Sequence, residues 1–373
     1  MSRFIAPGST IGIIGGGQLG RMMALSAKQM GYRVAVLEPS IDSPCAQVAD
    51  VVIETAYGDI EGAKQITKVS DVITYEFENI DEETAKWMTE ECYFPQGFEL
   101  LAVTQHRLLE KDKISSLGVK VAPYAAIFDE KDIEKSMLSI GFPAVLKTCR
   151  GGYDGKGQAV VKNEHELRAA VSHLLKQGEL VLEGWVPFQC EISVIVTRST
   201  LGETKALPVA ENIHHNNILH QSVVPARITE QMQNSAKNIA LTLADGLNLV
   251  GTLAVEMFVK EDGSILVNEL APRPHNSGHY SIEACETSQF EQHIRAICGW
   301  PLGETTLHSP VVMENILGEH VEPMIEAIPL MSGVKLHLYG KKEAIEKRKM
   351  GHMTALGETT AKALEKLAKL HQY

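Results

Sequence analysis

Apolar positions in the first hundred residues fall into short runs separated by one stretch of helical spacing. Residues 10–14, 33–37, 51–54 and 72–75 are brief, largely β-branched runs bounded by Gly, Ser, Asp or Glu. Between the first two, residues 19–30 space their apolar side chains as an amphipathic helix does. Strand, helix and strand in that order predict a small, doubly wound parallel α/β domain.

Further along the chain the pattern is mixed. Residues 104–113 predict a helix with Thr104 as its cap. A second helical stretch, 129–139, is bracketed by 117–123 and 141–147, and 160–177 reads as strand, loop and helix. Residues 179–186 form a strand running into a turn, followed by an apolar run at 190–196. Residues 252–259 and the stretch 265–279, I-L-V-N-E-L-A-P-R-P-H-N-S-G-H, flank the turn sequence K-E-D-G-S and predict an antiparallel hairpin. Residues 330–338 predict a strand, 341–348 a basic loop, and 359–370 a helix whose Leu364, Leu367 and Leu370 line a core-facing stripe.

Length and composition narrow the class. A chain of 373 residues has room for two or three domains and a sizeable core. Its 35 basic and 47 acidic residues leave a net charge of −12, which argues against a general nucleic-acid partner. Six cysteines without a C-x-x-C pair suggest reduced thiols. No run approaches the ~20 apolar residues that span a bilayer, and the N-terminus lacks a signal-peptide pattern. A cytoplasmic enzyme with no membrane partner is the expectation.

Four places carry candidate chemistry. Residues 150–158, R-G-G-Y-D-G-K-G-Q, follow an apolar run that ends at Lys147. Glycine lets backbone N–H groups approach an anion closely, and Lys147 and Lys156 add charge, so this reads as a loop over phosphates. A hairpin turn between two strands is the alternative. Gly15, Gly17 and Gly20 form G-x-G-x-x-G at a strand-to-helix turn, with Glu38 placed 23 residues after Gly15, the layout of an NAD-binding fingerprint. Any tight strand-to-helix turn that holds an anion needs similar glycines. Glu76 and Glu78 lie at a strand's carboxyl end, where open α/β sheets bind ligands, although solvated loop acids fit there too. Backbone groups at 183–186 are placed to pair with a purine ring. Glu256 and Glu269 interrupt apolar runs on either side of the hairpin turn. With Asn268 they make a hard oxygen set for Mg²⁺ carrying nucleotide phosphates. The segment A-P-R-P-H-N-S-G-H supplies Arg273, His275, Asn276 and Ser277, and its two prolines stiffen it.

Taken together, Y-D-G-K-G-Q after a strand ending in Lys, E-G-W-V, a strand Glu and N-E-L-A-P-R-P-H-N-S-G-H resemble the ATP-grasp superfamily. Within it the chain is similar to the N5-carboxyaminoimidazole ribonucleotide synthetases, and G-G-G-Q-L-G-R-M and the later Y-G-K also fit. The resemblance implies an ATP-grasp fold, α/β and α+β, in three regions: a pre-ATP-grasp domain at 1–106, a lid domain at 107–182 and a C-terminal domain at 183–373. It implies an ATP-dependent ligase that carboxylates 5-aminoimidazole ribonucleotide with bicarbonate through carboxyphosphate. ATP would contact Arg107, Lys147, the loop Gly152, Tyr153, Asp154, Gly155, Lys156, Gly157 and Gln158, then Glu183, Gly184, Trp185, Val186, Glu191, His214, Asn268 and Glu269. Glu256 and Glu269 would hold Mg²⁺ or Mn²⁺. The ribonucleotide would meet Gln18, Leu19, Glu76, Tyr153, Asp154, Arg273, His275, Asn276, Ser277, Lys341 and Arg348, with the N-terminal glycine turn serving its phosphate instead of NAD. Tyr153, Asp154, Arg273, His275 and Lys341 would be the catalytic group, and a homodimer is implied. After Y-G-K the chain reads K-E-A-I-E-K-R-K, so Arg348 shares its place with neighbouring lysines. An NAD-dependent oxidoreductase and a nucleotide-sensing module without turnover are the other readings.

Overall fold

The computed structural model describes residues 3–152 and 156–372. The chain opens with β1 (Thr10–Ile14), α1 (Gln18–Gln29), β2 (Arg33–Leu37), β3 (Val51–Ile53), α2 (Ile60–Val69), β4 (Val72–Tyr75), α3 (Glu82–Glu91) and α4 (Glu99–Thr104). Next come α5 (Arg107–Ser116), β5 (Tyr124–Ile127), α6 (Asp132–Ile140), β6 (Ala144–Thr148), β7 (Gln158–Val161), α7 (Glu164–Leu174) and β8 (Leu180–Gly184). The remainder comprises β9 (Phe188–Arg198), β10 (Thr204–Ala206), β11 (Ala210–His215), β12 (Ile218–Val224), α8 (Glu230–Gly246), β13 (Gly251–Lys260), β14 (Ile265–Ala271), α9 (Ser281–Ala284), α10 (Gln289–Ile297), β15 (Val311–Leu317), α11 (Val321–Glu326), β16 (Val334–Leu338), β17 (Lys349–Leu356) and α12 (Thr360–Ala368).

The first four strands are parallel in the order β3-β2-β1-β4. Their side chains alternate between two cores. Ile11, Ile13, Val34 and Val36 pack with Met23 and Ala27 of α1 and with Phe290 and Ile294 of α10, while Ile14, Ala35, Leu37 and Tyr75 pack with Ile66 of α2 and Met88 of α3. A sheet covered on both faces needs strands that are apolar throughout, which is why these runs lack a polar alternation. The strand order reverses between β1 and β4, so the loops after Ile14 and Tyr75 meet at one crevice.

A four-stranded antiparallel sheet, β5-β8-β6-β7, carries α6 and α7 on one face over Leu146, Val161, Leu167, Leu180 and Leu182. The largest sheet runs β14-β13-β9-β11-β12-β15-β17-β16, with β10 beside β9. α8 covers one stretch of it through Ala236, Ala240 and Leu243, and α12 covers another through Ala363 and Leu367. Leu370 is buried there and Leu364 packs against the same core, so the leucine stripe faces inward as its spacing predicts.

Two element predictions need correction. Thr104 caps nothing: it is the last residue of α4, and its hydroxyl donates to the Leu100 and Leu101 carbonyls. The helix over 104–113 is broken at His106, whose extended backbone (φ −132°) lets α5 start afresh at Arg107. The strand expected from 330 begins only at Val334, because Ile328–Leu330 is a 3₁₀ turn and Gly333 takes φ +75°.

Candidate active site

Glu256 on β13 stands directly opposite Glu269 on β14. The register then slips, Met257 pairing with Val267, so Asn268 is an extra residue in β14. A regular strand would send Asn268 and Glu269 to opposite faces; the bulge leaves both half-buried beside the two buried neighbours Val267 and Leu270. The Asn268 Oδ1 is buried without a hydrogen-bond partner. Two carboxylates and an unpartnered amide oxygen at one place are the hard donors that Mg²⁺ or Mn²⁺ takes, so these residues fit such an ion. Burial opposes ionisation of Glu256, but the hydrogen bond and charge of His275, with His214 and Lys349 behind, hold its carboxyl down at about 2. His275 Nε2 lies 3.0 Å from Glu256 Oε1.

One face of α5 supports this pair. Arg107, Glu110 and Lys111 follow the three- and four-residue spacing of a helix face. Arg107 Nη1 donates to Glu269 Oε2 at 3.1 Å, Glu110 Oε1 accepts from the Leu270 N–H at 2.7 Å, and Lys111 Nζ reaches the Asn268 carbonyl at 3.5 Å. Lys111 also pairs with Glu183 at 3.2 Å, and Lys147 pairs with the other Glu183 oxygen at 2.9 Å. Burial, then the charge of Glu269, pushes the Glu110 carboxyl up to about 8. Three basic side chains, Arg107, Lys111 and Lys147, thus gather around Glu183 and Glu269, an arrangement that suits phosphate oxygens. Burial and the neighbouring Arg107 and Lys111 lower the Lys147 pKa against the pull of Glu183.

The stem of the glycine-rich loop sits beside them. Lys147 pairs with Gln158 in the β6–β7 ladder, and the Thr148 N–H donates to the Gly157 carbonyl at 2.8 Å. Gly157 takes φ +69°, and a Cβ there would lie 2.6 Å from Thr148 Oγ1. A side chain is thus excluded on two counts. Gly152 lies beside the Arg107 guanidinium, and Lys156 and Gln158 are exposed. Tyr153, Asp154 and Gly155 lie outside the described residues. At the end of β8, the Gly184 and Trp185 N–H groups donate to the Pro123 and Pro143 carbonyls. Val186 follows them, just beyond the end of β8. The Glu183 side chain serves the two lysines. Glu191 and His214 face each other at 3.1 Å from β9 and β11; burial opposes the charge on His214, but Glu191 outweighs it and raises the imidazole pKa.

The crevice of the parallel sheet is filled by acids from the protein itself. The Gly16 N–H donates to Glu38, which also receives the Tyr57 hydroxyl and the Ser40 N–H. Glu76 accepts from the Gly17 and Gly20 N–H groups. This overturns the NAD reading: Glu38 is committed to the turn, and the glycine amides are already bonded. Gln18 and Leu19 open α1, where N–H groups have no acceptor within the helix. Glu78, at the same strand end, grips the Arg273 guanidinium through both oxygens. Neither acid is a solvated loop residue.

In A-P-R-P-H-N-S-G-H the structure separates two groups. Arg273 bonds Glu78 through its guanidinium, and His275 Nε2 lies 3.0 Å from Glu256 Oε1. Ser277 is fully buried, its hydroxyl receiving that of Ser193 and lying 2.9 Å from His275 Nδ1, and Asn276 exchanges amide hydrogen bonds with Asn315 at 2.9 and 2.6 Å. Ser277 braces the His275 ring, and Asn276 ties the segment to Asn315 on β15.

Lys341 Nζ donates to the Lys349 carbonyl at 2.7 Å and lies 5.7 Å from the Tyr339 ring centre. Burial, aided by Arg348 and Lys349, brings its pKa down to about 8. Arg348 is exposed, with Nη1 donating to the Glu343 carbonyl, whereas the charge of Lys349 acts on both Glu256 and His214. Lys111, Glu110, Glu78, Asn315 and Lys349 are the residues that sequence reasoning left unassigned or unplaced. Helical spacing from Arg107 could have found the first two.

A lid-like antiparallel sheet, a glycine-loop stem with a half-buried lysine, and paired strand acids with a neighbouring asparagine define an ATP-grasp enzyme. The ATP-grasp domain model matches residues 112–290, the ribonucleotide synthetase preATP-grasp domain 8–105, and the phosphoribosylaminoimidazole carboxylase C-terminal domain 311–366. N5-carboxyaminoimidazole ribonucleotide synthase of Bacillus subtilis (strain 168) is 56% identical over 352 residues, 94% of this chain and 92% of that protein. That of Staphylococcus aureus (strain MRSA252) is 44% identical over 350 residues, 94% and 93% of the two chains. A crystal structure of such a synthetase with ADP superposes with a TM-score of 0.96 at 56% identity, covering 100% and 98% of the chains. One from Aspergillus clavatus, with ADP and 5-aminoimidazole ribonucleotide, gives 0.91 at 29% identity and 98% of each. The chain belongs to the N5-carboxyaminoimidazole ribonucleotide synthase family.

Proposed function

We propose that this protein joins bicarbonate to the exocyclic amine of 5-aminoimidazole ribonucleotide at the expense of ATP. A bicarbonate oxygen attacks the γ-phosphorus and ADP departs; carboxyphosphate then passes its carboxyl to the amine, giving N5-carboxyaminoimidazole ribonucleotide, phosphate and a proton. Phosphoryl transfer asks the protein for in-line placement and neutralised charge rather than a covalent nucleophile. The observation that carries the reading is the Glu256–Glu269 pair with its bulged Asn268, locked to α5 and set next to Arg273 and His275.

In this reading Arg107, Lys111 and Lys147 receive the phosphates, and the Val186 N–H and neighbouring backbone receive the adenine. Glu256, Glu269 and Asn268 would hold Mg²⁺ or Mn²⁺, which supplies charge neutralisation for the phosphate oxygens. Arg273 and His275, with Tyr153 and Asp154 of the loop, hold the acceptor, while Gln18, Leu19, Lys341 and the basic stretch around Arg348 take its phosphate. Carboxyphosphate hydrolyses readily, so residues 150–158 must exclude water as they cover it. We place the domain divisions at 1–106, 107–182 and 183–373, and the protein in the cytoplasm as a homodimer. No helix among the described residues is long and apolar enough to cross a membrane, in keeping with that placement.

The test is incubation with ATP, Mg²⁺, bicarbonate and 5-aminoimidazole ribonucleotide. ADP release that depends on both bicarbonate and the ribonucleotide is expected. Nucleotide binding with no ADP release, or a ribonucleotide-independent ATPase, would overturn the reading.

A further inference from the structure

Where the start of α5 meets the ends of β6 and β8, three side chains of different donor type converge. One nitrogen of His106, the Cys149 thiol and a Glu179 oxygen all lie within 4.8 Å of one another. His106 is 9% exposed and Cys149 2%, yet the His106 Nδ1 has no hydrogen-bond partner, while Nε2 lies 2.8 Å from Glu179 Oε2. Nε2 is the nitrogen turned toward Glu179, so it is the one placed to share a cation with that carboxylate. The Glu179 side chain is half exposed, and a cavity of about 480 Å³ lined in part by His106, Glu179, Tyr124 and Phe128 opens beside it. The cluster is thus buried on one side and reachable on the other.

We propose that His106, Cys149 and Glu179 form a second metal site, for a thiophilic divalent cation of the Zn²⁺ type. One thiolate, one imidazole and one carboxylate make a borderline-soft set, unlike the all-oxygen set of Glu256, Glu269 and Asn268. Tetrahedral Zn²⁺ bonds put such donors roughly 3.3–3.6 Å apart, so the three need to draw together only slightly around the ion. The fourth position faces the cavity and is open to water. On binding, Cys149 gives up its proton and Glu179 turns from His106 to the cation.

The backbone couples this site to the nucleotide. The Cys149 N–H donates to the Glu179 carbonyl, and the Cys149 carbonyl accepts from the N–H of Arg107, the residue after His106. A cation held here would fix the start of α5 against the end of β6, between Lys147 and the glycine-rich loop.

Co²⁺ titrated into the protein with Mg²⁺ and ADP saturating tests this. One equivalent should give a thiolate-to-Co²⁺ charge-transfer band that Cys149→Ser abolishes. Glu179→Gln, at a half-exposed position that the fold tolerates, should weaken Co²⁺ binding by at least about tenfold. Absence of the band, its persistence in Cys149→Ser, or wild-type affinity in Glu179→Gln would each overturn the site.

Discussion

Lys111 and Glu183 form an ion pair at 3.2 Å in which the two side chains expose 1% and 5% of their surface. The pair joins α5 to β8, and Lys147 completes it from β6. Taking one member from a buried pair leaves a desolvated charge behind, which costs about 3–5 kcal/mol. Lys147 still neutralises Glu183 here, so the cost of Lys111→Met should fall at the low end, about 3 kcal/mol. Urea unfolding measures it. The same variant should bind ADP more weakly, because one of the basic side chains gathered for phosphate is gone.

Glu110 gives stability a pH dependence of unusual sign. Its folded pKa of about 8 lies above the unfolded value near 4.5, so between those limits the native state holds the extra proton. Stability therefore falls as pH rises from about 5 to 8, by a few kcal/mol at most. Glu110→Gln keeps an oxygen for the Leu270 N–H and cannot ionise. Thermal unfolding at pH 6 and pH 8 should show wild type losing stability across the interval and the variant holding it. Parallel loss in both would place the titration elsewhere.

Glu269→Gln preserves shape and removes one ionic oxygen. Turnover should drop by more than about a thousandfold while nucleotide binding without metal changes little, as befits charge stabilisation placed at the transferring phosphoryl group. Asn268→Ala should raise the Mg²⁺ requirement about ten- to a hundredfold. Steady-state rates across a Mg²⁺ series separate the two.

How much of this could be read in the chain differs from place to place. The parallel sheet was legible because its strands, covered on both faces, are apolar throughout, and the β13–β14 hairpin because its turn and its two acids are adjacent in sequence. The bulge at Asn268 was not, since register is settled by pairing with β9 and α5 rather than by local residue type. Glu38 and Glu76 show a different blind spot. Their types and positions match a ligand-binding layout, but only the fold reveals that they accept from the glycine amides themselves. The break before Arg107 left no mark either: residues 104–113 have no Gly or Pro, and the kink comes from the backbone of His106. Ser277 and Asn276 were chosen for polarity, and only the fold shows the bonds they make to Ser193, His275 and Asn315.

The Glu76 arrangement predicts a specific lesion. A Cβ on Gly17 would lie 2.5 Å from Glu76 Oε1, while the backbone φ of −75° is open to any residue. Gly17→Ala should thus act only by dislodging Glu76 and the first turn of α1. The KM for the ribonucleotide should rise between about tenfold and a hundredfold with little change in that for ATP. Equal losses for both substrates would mean that the domain, not the turn, has been disturbed.

Lys341 supplies the last prediction. Burial first, then Arg348 and Lys349, hold its pKa down at about 8, so in the free enzyme it loses its charge as pH rises through that value. The ribonucleotide phosphate is fully ionised in that range, its second pKa being about 6, so the change belongs to the enzyme. The value of kcat/KM for the ribonucleotide should fall above pH 8, following one deprotonation, because that ratio reports groups of the free enzyme. With ATP varied at saturating ribonucleotide the fall should move to higher pH, since bound phosphate favours the charged lysine. Lys341→Arg, charged throughout, should remove the alkaline limb, and Lys341→Met should lower the ratio at pH 7 and flatten its profile. An alkaline limb that survives in Lys341→Met would assign the titration to another group and leave the Tyr339–Lys341 segment outside the phosphate site.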